Sequence, residues 1–160
     1  MYKFIYSDRL SYVMKVLIYP PNSLILADLV ERAGHEAIVL MKEVAKKVRD
    51  PELDSPPVNI TEADLKRSLK YLSVEEPSGV RGRVGMMMPL LDEAEAAIIV
   101  DDPDPSFGCM ACAVANDYIE YMIRSKGIPT LIVPYPYDEE AAKVMVKNVF
   151  SFLRSLGSES

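Results

Sequence analysis

The only two cysteines of this 160-residue chain stand three positions apart, in the run Gly108-Cys109-Met110-Ala111-Cys112. The run follows an acidic loop, Asp101-Asp102-Pro103-Asp104-Pro105, and opens a stretch with helical periodicity. A thiol at a helix N-terminus ionises more readily, because the thiolate lies against backbone N–H groups that have no intrahelical acceptor. The thiolate is both the nucleophile and the metal-binding form. Cys109 and Cys112 therefore suit three roles: ligation of a metal or iron–sulfur species, thiol–disulfide exchange, or packing as two small side chains beside Ala111 and Ala113. Tetrahedral zinc or a four-iron cluster takes four protein ligands. One chain supplies two thiols, so such a site would be shared with a second copy in a homodimer, on its two-fold axis, or with a partner protein. Asp101 and Asp102, at the end of an apolar run, could hold a hard cation, and their charge would oppose ionisation of a nearby thiol.

A second candidate is Ser78-Gly79-Val80-Arg81-Gly82-Arg83-Val84-Gly85. Ser78 and Gly79 at a helix start, with Arg81 and Arg83 as guanidinium forks, would suit phosphate or carboxylate. The segment lacks the Gly-Lys-Ser/Thr ending of a Walker A loop and is not a GxGxxG turn after a strand. Its other reading is a helix notched by glycines for close packing, with solvated arginines. Redox chemistry at the cysteines asks for no further ligands. However, thioredoxin-type folds carry their cysteine pair after an early strand, and Met110-Ala111 lacks the usual Gly-Pro character.

Composition narrows the field. A net charge of -6 argues against nucleic acid or an anionic membrane surface as partner. A single histidine excludes sites that need two from one chain, such as HExxH hydrolases. No segment approaches the ~18 consecutive apolar residues of a membrane helix, and Lys3, Asp8, Arg9 and Lys15 interrupt the N-terminus where a signal peptide would be apolar. These features predict a cytosolic protein with reduced thiols.

The elements that must position these residues alternate. Lys15–Tyr19 reads as a first strand, ended by Pro20-Pro21. Ser23 caps a helix with Ile25, Leu26, Leu29, Val30 and Ala33 on one face, stopped by Gly34. Ala37–Met41 is a second strand and Lys42–Arg49 a short basic helix. Thr61 caps a helix through Leu69. Tyr71–Val74 reads as a third strand, and Ser78 caps a helix running to Ala94. Ala96–Val100 is the clearest buried strand. A helix over Cys109–Lys126 faces Ala111, Ala115, Tyr118, Ile119 and Met122 inward and stops at Gly127. Thr130–Val133 is the last strand, and Asp138–Leu156 the last helix, with Ala142, Met145, Val146, Val149 and Leu153 as its core face. His35 reads as a turn residue, and Met86-Met87-Met88 as adaptable core.

This alternation predicts an α/β fold: a three-layer, Rossmann-like or flavodoxin-like sandwich with a mostly parallel central sheet. Residues 14–157 are expected to form the single domain, and 1–13 an extension, read as a start codon chosen too early or as an edge strand. In a flavodoxin-like order the first and fourth predicted strands are neighbours. The cleft at their carboxyl ends then brings Asn22 and Ser23 opposite Asp101 and Asp102 and the cysteine run.

Taken together, Pro20-Pro21-Asn22-Ser23-Leu24-Ile25-Leu26, Leu29-Val30-Glu31-Arg32, Asp54-Ser55-Pro56-Pro57-Val58-Asn59-Ile60-Thr61, Lys70-Tyr71, Pro77-Ser78-Gly79-Val80-Arg81-Gly82-Arg83, Asp92 to Val100, and Gly108-Cys109 with Cys112-Ala113 resemble the methanogenesis marker protein 5 family. The resemblance runs from Met14 to the last helix. The segment Val114-Ala115-Asn116-Asp117 departs from the family's Arg-Thr-Asn-Glu-like run. The resemblance implies a protein of methane-producing archaea without an assigned reaction. It implies an accessory role in maturation or activation of methyl-coenzyme M reductase, with other proteins of that machinery as partners.

Overall fold

The computed structural model describes residues 12–21, 23–48, 60–101 and 110–156. Four parallel strands form one sheet: β1 (Lys15–Tyr19), β2 (Glu36–Ile38), β3 (Ala96–Asp101) and β4 (Thr130–Pro134), in the order β2-β1-β3-β4. Six helices accompany them: α1 (Leu24–Arg32), α2 (Leu40–Val48), α3 (Glu62–Ser68), α4 (Ser78–Glu93), α5 (Met110–Ser125) and α6 (Glu139–Leu156). The sheet has two apolar faces because each central strand is buried on both sides, which is how parallel strands come to read as unbroken apolar runs. On one face Val16, Ile18, Ala96, Ile98 and Val133 pack under Leu26, Leu29 and Val30 of α1 and Val149 and Leu153 of α6. On the other, Leu17, Tyr19, Ala97 and Ile99 pack under Val84, Met87, Met88 and Leu91 of α4 and Ile119 and Ile123 of α5. The fold is the α/β sandwich that the alternation predicts.

Two expected strands and one expected helix face need correction. Tyr71–Val74 forms a turn and not a strand. The amides of Tyr71 and Leu72 both donate to the Ser68 carbonyl, closing a turn off the preceding helix, while their side chains pack against the second core and the Tyr71 carbonyl accepts from the Tyr118 hydroxyl at 2.9 Å. The strand expected over Ala37–Met41 ends at Ile38, and Leu40 already begins α2. Ile25 is exposed and not on the inward face of α1, which consists of Leu26, Leu29 and Val30. The fourth predicted strand is therefore β3, and it pairs directly with β1, from Val16–Ala96 to Tyr19–Ile99. They are the two strands expected to flank the switch point.

Local chemistry sets the helix ends. Ser23 Oγ accepts from Leu26 N–H, and Thr61 with Asp64 closes a reciprocal capping box. Asp138 caps α6 by accepting from Ala141 N–H at 2.7 Å. Gly34 and Gly127 hold positive φ where α1 and α5 stop. Ser78 does not cap α4: Pro77 occupies that position and Ser78 is the first helical residue, with no side-chain cap. At the other end of α4, Lys126 Nζ donates to the carbonyls of Leu91, Asp92 and Ala94, satisfying the groups a helix C-terminus leaves bare. His35 is buried and not a mere turn residue. Its Nδ1 accepts from Met14 N–H at 3.2 Å and its Nε2 donates to the Leu153 carbonyl at 2.8 Å, joining the chain before β1 to α6.

Pro89 lies inside α4 and cannot donate to the carbonyl of Gly85, four residues earlier. Arg67 of α3 fills the gap, donating to that carbonyl at 2.8 Å and to Asp64 Oδ1 at 2.9 Å. Gly85 makes this approach possible, since a Cβ there would collide with the Asp64 carbonyl. Gly82 likewise receives the Ile60 side chain. Gly82 and Gly85 thus notch α4 for α3 and the residue Ile60 that leads into it.

Candidate functional site

The parallel topology decides which residues can meet. α4 leads into β3 and α5 leads out of it, so the N-terminal halves of both helices lie at the carboxyl end of the sheet. That end, between neighbouring β1 and β3, is where open α/β sheets bind ligands. The N-terminal turns of α4, which hold Ser78–Gly85, and the first turn of α5 are thereby brought to the same end of the molecule.

Tyr19 closes β1 and is almost fully buried. Its hydroxyl donates to Asn116 Oδ1 of α5 at 2.7 Å. Burial drives its pKa far above the ordinary phenol value; the charges of Glu120 and Asp117 add to the rise, and that of Arg83 opposes it. Tyr19 is therefore a fixed neutral donor rather than a base. One turn beyond Asn116, Glu120 is also held above its ordinary pKa, first by burial and then by nearby Asp101 and Asp117, against a 3.2 Å hydrogen bond from Arg124. Arg124 in turn reaches Asp101, at the end of β3, at 3.7 Å. Tyr19, Asn116, Glu120, Arg124 and Asp101 form a continuous polar patch, and Arg83 lies half-buried within electrostatic reach of its phenol.

The residues singled out from sequence fall into three groups. Asp101 and Arg83 belong to the patch. Ser23, Ser78, Gly79 and Arg81 are placed near the same end but do other things. Ser23 caps α1, Gly79 faces open space, Ser78 is exposed, and Arg81 Nε donates to the Glu76 carbonyl at 3.0 Å. Asn22, Asp102 and Cys109 lie outside the described residues, and for Cys112 only its place in the first turn of α5 is described. Among the described residues no three His, Cys, Asp or Glu side chains cluster as a metal cage. Tyr19, Asn116, Glu120 and Arg124 were not selected from sequence. A signal for three of them exists: with Cys112, they recur every four residues along one helix, the spacing of a continuous stripe. A groove on α6 lined by Lys147, Phe150, Ser151 and Arg154 is a weaker site, because one helix supplies all four residues on the face away from α4 and α5.

Residues 14–156 match the family described as an uncharacterized protein conserved in archaea, DUF2112. The chain belongs to this archaeal family. It is 54% identical over 142 residues to the uncharacterized protein MJ0404 of Methanocaldococcus jannaschii, covering 89% of this chain and 95% of that protein. No solved structure matches the chain. No helix among the described residues is long and apolar enough to cross a membrane.

Proposed function

We propose that the chain is an accessory protein that binds a metal or iron–sulfur species, or a partner's cofactor, through Cys109 and Cys112. The observation that carries this reading is the start of α5. The helix begins at Met110, immediately after Cys109, and it follows β3 at the switch point. A Cys-x-x-Cys run at that place combines a helix N-terminus, which favours the thiolate, with the end of the sheet where ligands bind. The two thiols fit half of a four-ligand site, so a second chain completes it, as a homodimer or with a partner protein. Membership of an archaeal family is in keeping with the setting that the resemblance implies: the cytosol of methane-producing archaea, in support of maturation or activation of methyl-coenzyme M reductase.

Anaerobic purification followed by metal and sulfide analysis and an absorption spectrum tests this reading. Retention of metal with thiolate charge-transfer bands supports it. A protein that cycles reversibly between dithiol and disulfide, and holds no metal after reconstitution alone or with its partners, is instead a thiol–disulfide enzyme.

A further inference from the structure

The one histidine of the chain, His35, is buried where the ends of two helices meet the chain ahead of β1. Its backbone N–H donates to the Val30 carbonyl near the end of α1 at 3.2 Å. Both ring nitrogens meet backbone. Met14 N–H can only donate and the Leu153 carbonyl can only accept, so Nδ1 is bare and Nε2 carries the proton. One neutral tautomer satisfies both partners. A second proton would sit on Nδ1 and face the Met14 N–H, setting donor against donor. The bond to Leu153 would survive and strengthen. That carbonyl is among the last four of α6, where the helix dipole favours a cation. A charged ring therefore keeps α6 and lets go of Met14.

Other bonds limit what is released. The Met14 carbonyl accepts from Glu36 N–H at 3.0 Å, so β1 stays paired with β2. Glu95 accepts from Lys15 N–H at 2.8 Å and from the Tyr12 hydroxyl at 3.0 Å. Among the described residues, the Tyr12 contact is then the one hydrogen bond left on the chain ahead of Met14. The charged groups on the elements that meet here are Glu31 and Arg32 of α1, Glu36 of β2, Lys15 of β1, Glu93 and Glu95 ahead of β3, and Arg154 of α6. Lys15 pairs with Glu93, Arg32 with Asp28, and Glu31 with Lys42. Among the described residues, none of these side chains bonds the imidazole, so backbone alone sets its tautomer. We propose that His35 is a proton-operated latch: on mild acidification it releases the Met14 N–H and loosens the chain ahead of β1, while the sheet and α6 stay in place. Imidazole suits this task as the side chain whose charge changes in that range. The latch uses neither cysteine and stands whether or not Cys109 and Cys112 hold a metal.

The experiment is a pH titration of the full chain by NMR, following the His35 ring nitrogens and the exchange protection of backbone amides, corrected for the intrinsic pH dependence of exchange. The neutral ring is expected as the Nε2–H tautomer. As it takes its second proton, protection of the Met14 amide should fall about tenfold, the scale of one lost hydrogen bond. The Glu36 amide, which holds the Met14 carbonyl, should keep its protection. His35→Gln should leave Met14 protection flat over the same range. Glu95→Gln, which acts on the separate Tyr12 and Lys15 contacts, should leave the Met14 response as in the native chain. The native titration decides even if His35→Gln does not fold. The inference is overturned by an Nδ1–H tautomer, by Met14 protection that holds while the ring titrates, or by joint loss of Met14 and Glu36 protection. It is equally overturned by a ring that takes no proton before the fold is lost, by a Met14 response that survives in His35→Gln, or by one abolished in Glu95→Gln.

Discussion

Tyr19 and Glu120 behave as they do because of where β1 and α5 end up, and their chemistry is open to direct test. Replacing Tyr19 with Phe removes one partly buried hydrogen bond and leaves Asn116 Oδ1 without its donor, for an expected loss of about 1 kcal/mol of stability. Urea denaturation at neutral pH measures it. Glu120 carries a pH signature. Its folded pKa is raised, so the native state holds the proton more tightly than the unfolded chain does. Stability from this group is present below the unfolded glutamate value and is lost as pH rises toward the raised folded value. Glu120→Gln should therefore gain stability over the native chain at neutral pH and lose that advantage below the ordinary glutamate range. Glu95 has the opposite sign. The Lys15 N–H and then the Tyr12 hydroxyl hold its carboxylate below the ordinary value. Its contribution is present above the unfolded value and disappears as pH falls through the folded one, so Glu95→Gln should flatten the acid side of the stability profile. Comparing midpoint against pH for the two variants separates them.

At the scale of elements, the contact between α3 and α4 is the least legible in sequence and the most specific in structure. The glycines at 82 and 85 advertise a close approach without naming the neighbour. Only the fold shows that the backbone of Asp64 enters at Gly85 and that Arg67 covers the carbonyl left bare by Pro89. Gly85→Ala should cost about 1–3 kcal/mol or more, through displacement of α3. Gly79→Ala, which meets open space in the first turn of the same helix, should be neutral or gain about 0.5 kcal/mol. Thermal melts of the pair test the contact, since a general intolerance of α4 to substitution would lower both. Helices with local end signals were readable: Thr61 with Asp64, Ser23, Gly34 and Gly127 mark their boundaries by chemistry that needs no tertiary partner. The run Ala37–Met41 was not, because five apolar or near-apolar residues fit a strand and a helix start equally well. Its division at Ile38 depends on how far β1 extends alongside.

The whole molecule joins what the chain separates. The segment around Arg83 and the first turn of α5 are distant in sequence, yet their connections to β3 carry both to one end of the sheet. That convergence was legible as soon as β1 and β3 were recognised as neighbours. Tyr19, by contrast, reads as one more core aromatic at the end of a strand, and nothing local reveals that its hydroxyl meets Asn116 almost a hundred residues later. Asn116 itself matches the asparagine of the run expected by resemblance, whose other residues differ, and its contact with Tyr19 comes from geometry alone. The claim on which the proposed function turns is that Cys109 and Cys112 ligate metal at this end of the molecule. The most direct measurement is iron and acid-labile sulfide per chain after anaerobic reconstitution, for the native protein and for Cys109→Ser/Cys112→Ser, with oligomeric state read in parallel. A four-iron cluster shared by two chains predicts about two irons per chain in a native dimer and none in the double variant. A native protein without bound iron or zinc, alone and with its partners, or a double variant that retains as much, contradicts it.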